Sequence, residues 1–213
     1  MIRVYGIVDG LDELPEVAGV DEAPLERRRV AGLELVLSSG APPPSGEVSR
    51  EDVLRHAQVV EALMGRSAAI LPAQLGHAFR DEEQLATAIE EQAEQLKRGL
   101  ERVRGCVEFG LRATTARTAE VPAAETGAGY MHARLEQVRL QDDLVDRLHE
   151  PLARLARATN LQRGTGSVTA TYLVARDDAA AFEAAAARLE RTQGVTVVCT
   201  GPWPPYSFAA GAS

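Results

Sequence analysis

Aromatic side chains make up only 4% of this 213-residue chain, with one tryptophan, four tyrosines and four phenylalanines. Its core must therefore be largely aliphatic, and any place where aromatics gather calls for a reason. Cysteine is scarcer still: Cys106 and Cys199 are the only two, too few and too far apart for a disulfide framework or a zinc knuckle. Both fall in apolar, strand-like runs, where buried reduced thiols are expected. No apolar run approaches the roughly 20 residues that span a bilayer, and Met1-Ile2-Arg3-Val4-Tyr5 lacks signal-peptide character, so the cytoplasm is the expected location. Positive charge is in deficit as well. Against 31 acidic residues stand 23 Lys and Arg, leaving a formal charge of −8, which opposes binding to nucleic acid or an anionic membrane. What is present is the composition of an ordinary soluble protein, 45% hydrophobic and 25% charged, long enough for one large core or two small ones.

The scarce aromatics gather in Gly201-Pro202-Trp203-Pro204-Pro205-Tyr206-Ser207-Phe208, close to the end of the sequence. Bulky rings left on a frayed end would expose apolar surface, so Pro202, Trp203, Pro204, Pro205, Tyr206 and Phe208 are expected to form a docked tail that packs on a domain edge or between domains. Burial of Trp203 would supply much of the gain, and the prolines lower the entropy lost on docking. Because proline donates no hydrogen bond to a sheet, the preceding strand is expected to end at about Gly201. A proline-rich ligand for SH3 or WW domains is the competing reading, outweighed by the strand that leads straight into the tail.

Ahead of the tail, periodicity and punctuation divide the chain. Strands are expected at Ile2 to Val8, around Arg27 to Gly32, at Leu33 to Ser38 and at Ala68 to Leu71, where Pro72 stops the run. Ser49 and Asp52 have capping-box spacing for a helix over about 50–64 with Val53, Ala57, Val60 and Met64 on its apolar face. Gln74 to Phe79 reads as a turn, and Ala41 to Gly46 as a loop. Asp81 and Gln84 open a long helix over about 82–103, with Leu85, Ile89, Ala93, Leu96, Leu100 and Val103 in one stripe. Then follow a strand from Cys106 to Leu111, a flexible loop from Arg112 to Gly129, and a helical pattern from Tyr130 whose seam is Leu135, Val138, Val145, Leu148, Leu152 and Leu155. Pro151 should kink that helix or start a second one. A weak strand near the 160s, a strong one at Val168 to Ala175, a helix capped by Asp177 or Asp178, and a last strand at Val195 to Thr200 complete the order.

This order gives an α+β fold with two domains. Residues 1–104 form an N-terminal α+β unit, residues 105–201 a ferredoxin-like βαββαβ domain with an enlarged helical insert at about 126–160, and residues 202–213 the docked tail.

Signatures of catalysis are missing: no G-x-G-x-x-G, Walker loop, H-E-x-x-H or G-x-S-x-G occurs. Arg27, Arg28 and Arg29 read as a solvated strand face rather than an anion site. His77 has no carboxylate or second histidine at workable spacing, and His132 and His149 are too far apart to share a metal. Gly127-Ala128-Gly129 lacks the further glycines and lysine of a phosphate loop. The mixed charges Asp142, Asp143, Asp146 and Glu150 with Arg139 and Arg147 read as a solvated, self-paired helix face. No catalytic, metal or cofactor residue is assigned, and an enzyme is not expected.

Taken together, IRVYGIV at residues 2–8, Leu71-Pro72 with Gly76 and Phe79 ahead of a long helix, VEFGL at 107–111, Gly129-Tyr130-Met131, Tyr172-Leu173-Val174 and above all the TGPWPPYSF tail resemble the gas vesicle protein family GvpL/GvpF. The turn usually written F-G-T-V-F in that family stands here as Leu75-Gly76-His77-Ala78-Phe79. The resemblance implies an accessory or minor structural protein of gas vesicles, located in the cytoplasm or on the vesicle. Its implied partners are the hydrophobic shell protein and other accessory proteins, and its implied role is to assist assembly or nucleation while preventing shell-protein aggregation, in a groove between the domains. Tyr5, Phe79 and Tyr130, within the quoted motifs, are the candidate partner contacts. A non-enzymatic ligand-binding regulatory module is the alternative, since a ferredoxin-like fold hosts many functions.

Overall fold

Strand β1, Ile2–Asp9, is buried along almost its whole length, as a mostly apolar run must be when it lies inside a sheet with both faces covered. It is central because β3 (Leu33–Ser39) pairs with it on one side and β4 (Ala69–Pro72) and the two-residue β5 (Ala78–Phe79) on the other, all antiparallel. With β2 (Glu26–Val30) outside β3, the order is β2-β3-β1-β4. The computed structural model describes residues 1–40, 48–76, 78–115, 127–164, 167–190 and 194–209. The chain divides into two compact units, Met1–Cys106 with Trp203–Ser213 as the first, and Val107–Pro202 as the second.

In the first unit, opposite residues of the sheet share a face, and pairs such as Val8 with Ile70 and Gly6 with Val36 set that face. Tyr5, Val8, Val36 and Ile70 join Val59, Val60 and Leu63 of helix α1 (Arg50–Arg66) in one apolar cluster. Leu71, one residue on and so on the opposite face, lies against Gly99 of helix α2 (Glu82–Val103), where an added Cβ would come within 3.1 Å of its Cδ1. Both helix starts follow their local sequence. The Asp52 N–H donates to Ser49 Oγ at 3.1 Å and the Ser49 N–H to Asp52 Oδ2 at 3.0 Å, a complete capping box. At α2, the Gln84 N–H donates to Asp81 Oδ1 at 2.9 Å, while the Gln84 side chain accepts from the Arg80 N–H.

The second unit holds β6 (Cys106–Thr115, whose first residue belongs to the first unit), α3 (Gly127–Leu144), a π-helical turn (Val145–His149), α4 (Glu150–Ala153), β7 (Ala158–Gly164), β8 (Ser167–Ala175), α5 (Ala179–Leu189) and β9 (Val195–Trp203). Its sheet order is β7-β8-β6-β9. The core is aromatic at its centre, with Phe109 and Phe182 stacked at 4.7 Å and Tyr172 tilted against Phe182 at 5.1 Å. Pro151 sits in the first turn of α4, where its missing N–H costs no helical bond, and the wide turn before it absorbs the break.

Several expectations change. Of the expected α1 stripe, Val60 is buried, Ala57 and Met64 are half-buried and Val53 is exposed, while His56, Val59 and Leu63 are buried as well. His56 faces inward, its Nε2 lying 2.9 Å from the Ala73 carbonyl. Pro72 ends β4 from within it, and Ala78–Phe79 pairs with β1 where a turn was expected. β6 continues to Thr115, into the expected loop. α5 starts from a 3-10 turn, Arg176–Asp178, with no side-chain cap from Asp178. β9 runs past Gly201 through Pro202 to Trp203. An edge strand tolerates proline, since one side of it needs no partner, and β9 is the edge of its sheet. His77, the loop at 41–46 and most of the loop expected from Arg112 onward lie outside the described residues.

Candidate functional site

The aromatic tail belongs to the first unit from Trp203 onward. Pro204, Pro205, Phe208 and Ala209 are buried there, whereas Pro202 is exposed and Trp203 keeps 44% of its surface in water. Its anchor is thus two prolines and a phenylalanine, not the tryptophan that sequence reasoning favoured. Pro205 shapes the end of the tail: its carbonyl accepts from the Phe208 and Ala209 N–H groups at 3.2 and 3.0 Å, closing a 3-10 turn over Tyr206–Phe208. Partial burial pushes the Tyr206 hydroxyl up to about 12, with the negative Glu61 of α1 adding to the shift.

Tyr5, Phe79 and Tyr130 occupy three different environments. Tyr5 is fully buried, its hydroxyl 2.9 Å from Ser38 Oγ and accepting the Val20 N–H at 2.8 Å, so it is a core residue with no surface to offer a partner. Phe79 is half-buried on β5. Tyr130 is 53% exposed at the start of α3 and is followed by Met131, Leu135 and Val138, each also strongly exposed. Spacings of four and three put Met131, Leu135 and Val138 on one helix face. Further along the same seam, Leu144, Val145, Leu148 and Leu152 are buried. The seam is thus uncovered at Leu135 and Val138, buried at Val145, Leu148 and Leu152, and exposed again at Leu155.

Polar groups are mostly committed to structure. Arg27 and Arg29 pair with Glu34 at 3.1 and 3.6 Å, and Arg28 with Glu26 and Glu82 at 3.2 and 3.0 Å. Arg147 pairs with Asp143 within its helix at 3.0 Å, and Arg163 of β7 with Asp142 at 2.7 Å. His149 lies with Nδ1 2.9 Å from the Tyr172 hydroxyl, and burial lowers its pKa as it does that of His56. Burial raises the Tyr172 hydroxyl and pushes the Cys199 thiol up to about 11, which leaves Cys199 a neutral thiol. Among the described residues, no three His, Cys, Asp or Glu side chains come together as metal ligands, and no helix is long and apolar enough to cross a membrane.

One small cavity, of about 220 Å³, lies in the first unit between Leu71, Ala209 and the α2 residues Gln95, Leu96, Arg98, Gly99 and Arg102. The apolar stripe of α2, which alone was followed in the sequence, lies mostly away from it. The available signal was the spacing of Gln95, Arg98, Gly99 and Arg102, which places them on one side of the helix.

These features define a mixed helix-and-sheet protein of two compact units, with many of its polar groups paired within the structure and a run of exposed apolar side chains on α3. The chain belongs to the GvpL/GvpF family: the model described as "Gas vesicle synthesis protein GvpL/GvpF" matches residues 2–210. Gas vesicle protein L of Streptomyces sp. (strain CB03234) is 32% identical over 165 residues, an alignment covering 65% of this chain and 62% of that one. Gas vesicle protein F of Haloferax mediterranei is 28% identical over 217 residues, covering 97% and 92%. The crystal structure of GvpF from Anabaena sp. PCC7120 superposes with a TM-score of 0.80 at 17% identity, covering 98% of this chain and 95% of that one. That of GvpF from Microcystis aeruginosa gives 0.75 at 17%, covering 98% of each. At that identity the two structures speak for the fold. Family membership places the protein in gas vesicle formation.

Proposed function

We propose that the protein is a non-enzymatic accessory or minor structural protein that binds the hydrophobic gas vesicle shell protein, alongside other accessory proteins, and holds it back from aggregation during assembly or nucleation. The observation that carries this reading is the uncovered stripe on α3, Tyr130, Met131, Leu135 and Val138. A subunit bound for a gas-facing wall exposes apolar surface before it is built in, and an apolar helix face on an acidic, soluble carrier can cover that surface and keep the complex dispersed. The second unit reads as a ferredoxin-like domain, supported by the β-α-β-β-α-β succession and the order β7-β8-β6-β9, with α3 to α4 as its enlarged insert. Within the tail, burial of Pro204, Pro205 and Phe208 supports a docked element.

Light scattering from shell protein diluted out of denaturant tests the reading. The wild-type protein should suppress the signal. A Leu135→Glu, Val138→Glu variant should suppress it less, while keeping its circular dichroism spectrum and melting temperature. Equal suppression by both would remove α3 as the contact, and no suppression by the wild type would remove the shell-binding reading itself.

A further inference from the structure

The positive charges of α2 and of the residue just after it divide into two sets. Lys97 is held by Glu94 at 2.8 Å, and Arg104, next to the helix end, is held by Glu101 and Asp9. Arg98 and Arg102 have no such ion pair among the described residues; Arg98 is near enough to influence Glu94, but that carboxylate is engaged by Lys97. These two arginines, with Gln95, edge the cavity of about 220 Å³ whose remaining walls are Leu71, Leu96, Gly99 and Ala209.

The cavity exists because Gly99 has no side chain. Its bare backbone lets α2 approach β4 and leaves a dent between the turns that carry Gln95 and Arg102. Leu71 and Leu96 at its base are almost fully buried, so the dent presents mainly the two guanidinium groups and the amide at its edge. That edge takes a carboxylate by charge-assisted hydrogen bonds, which arginine's planar fork makes in pairs. Its volume falls below the roughly 300–1,000 Å³ of small-molecule sites, so the fit is to a single side chain. From this geometry we infer that the α2 dent is a docking point for a glutamate side chain, presented by a short acidic segment of a partner protein. The inference is independent of the shell-binding reading, because it concerns the first unit and a charged contact.

Fluorescence anisotropy with the full-length protein and a fluorescein-labelled, end-capped Gly-Leu-Glu-Leu-Gly peptide tests it at low salt. The peptide should bind. Binding should weaken at least tenfold when its glutamate is replaced by glutamine, at least tenfold in an Arg98→Ala, Arg102→Ala variant, and should hold within about twofold in Lys97→Ala, a neighbouring cation off the dent. Higher salt should weaken it, as expected where an arginine pair supplies the attraction. Acetate and inorganic phosphate, added as competitors, should displace the peptide only at concentrations far above that of the peptide itself. The inference fails if the glutamine peptide binds equally, if the double arginine variant binds as well as wild type, or if phosphate competes as effectively as unlabelled peptide, which would make the site one for free anions.

Discussion

The hydroxyl of Tyr5 accepts the backbone N–H of Val20 at 2.8 Å, fastening the 3-10 turn at Val20–Glu22 onto the middle of the first sheet. The same oxygen lies 2.9 Å from Ser38 Oγ, and all three residues are buried. Tyr5→Phe keeps the ring but leaves the Val20 N–H and the Ser38 hydroxyl without this partner, which should cost about 1–3 kcal/mol. Urea denaturation will read it as a lower midpoint at unchanged slope. An unchanged midpoint would mean that water or a shifted turn replaces the bond.

Gly19 makes a sharper version of the same test. A Cβ there would collide with the Tyr5 hydroxyl oxygen and fall 3.1 Å from the Ala23 carbonyl. Gly19→Ala should therefore destabilise wild type by more than it destabilises Tyr5→Phe, where the oxygen is gone, and a double-mutant cycle will show the coupling.

Burial lowers the pKa of both His56 and His149 below the ordinary 6.5. In the pH range just below 6.5 the unfolded chain binds protons that the native state refuses. Stability is thus full above that value and falls as pH drops through it toward the folded pKa values. Melting temperatures measured from about pH 8 down to about pH 5.5 should decline, and His56→Gln should flatten part of that decline even though its baseline is lower. A variant with the wild-type slope would assign the effect to other groups.

In the tail, the exposure difference between two aromatic residues predicts opposite sensitivities. Phe208 is 5% exposed and Trp203 44%. Phe208→Ala should cost about 3 kcal/mol and Trp203→Ala about 1 kcal/mol or less. A larger loss from Trp203→Ala by chemical denaturation would mean that the ring is covered in solution.

Gly201 has φ of +126° and sits where an added Cβ would lie 2.8 Å from the Glu108 carbonyl oxygen. Both the dihedral and the backbone contact exclude a side chain, so Gly201→Ala should destabilise by about 2–3 kcal/mol. A thermal shift of less than a degree or two would show that β9 can move away from β6 at little cost.

What was legible in the sequence was local. Ser49 with Asp52, and Asp81 with Gln84, lie within a single turn, so the starts of α1 and α2 could be placed from spacing alone. The stripe from Leu85 to Val103 likewise needed only the helical period, and all of it except Ala93 is buried. The strand at Ser167–Ala175 and the break at Pro151 were local in the same sense. Family membership, too, was carried by short motifs.

Tertiary structure decided what depends on distant partners. Nothing in Val53 to Met64 says that His56 turns inward, because its acceptor is the Ala73 carbonyl beyond the next strand. Pro202 could be taken into β9 only because that strand lies at a sheet edge, a place fixed by the strand order. The seam from Leu135 to Leu155 looks continuous in one dimension, but Leu135 and Val138 are uncovered, Val145, Leu148 and Leu152 are buried, and Leu155 is exposed again. By itself the sequence determined which segments could be helix or strand and which family they belong to, since those depend on the residue period and short motifs. Burial depends on what else reaches the same place, and so only the fold decided that Tyr5 is core, that Phe208 rather than Trp203 anchors the tail, and that Arg98 and Arg102 edge a dent.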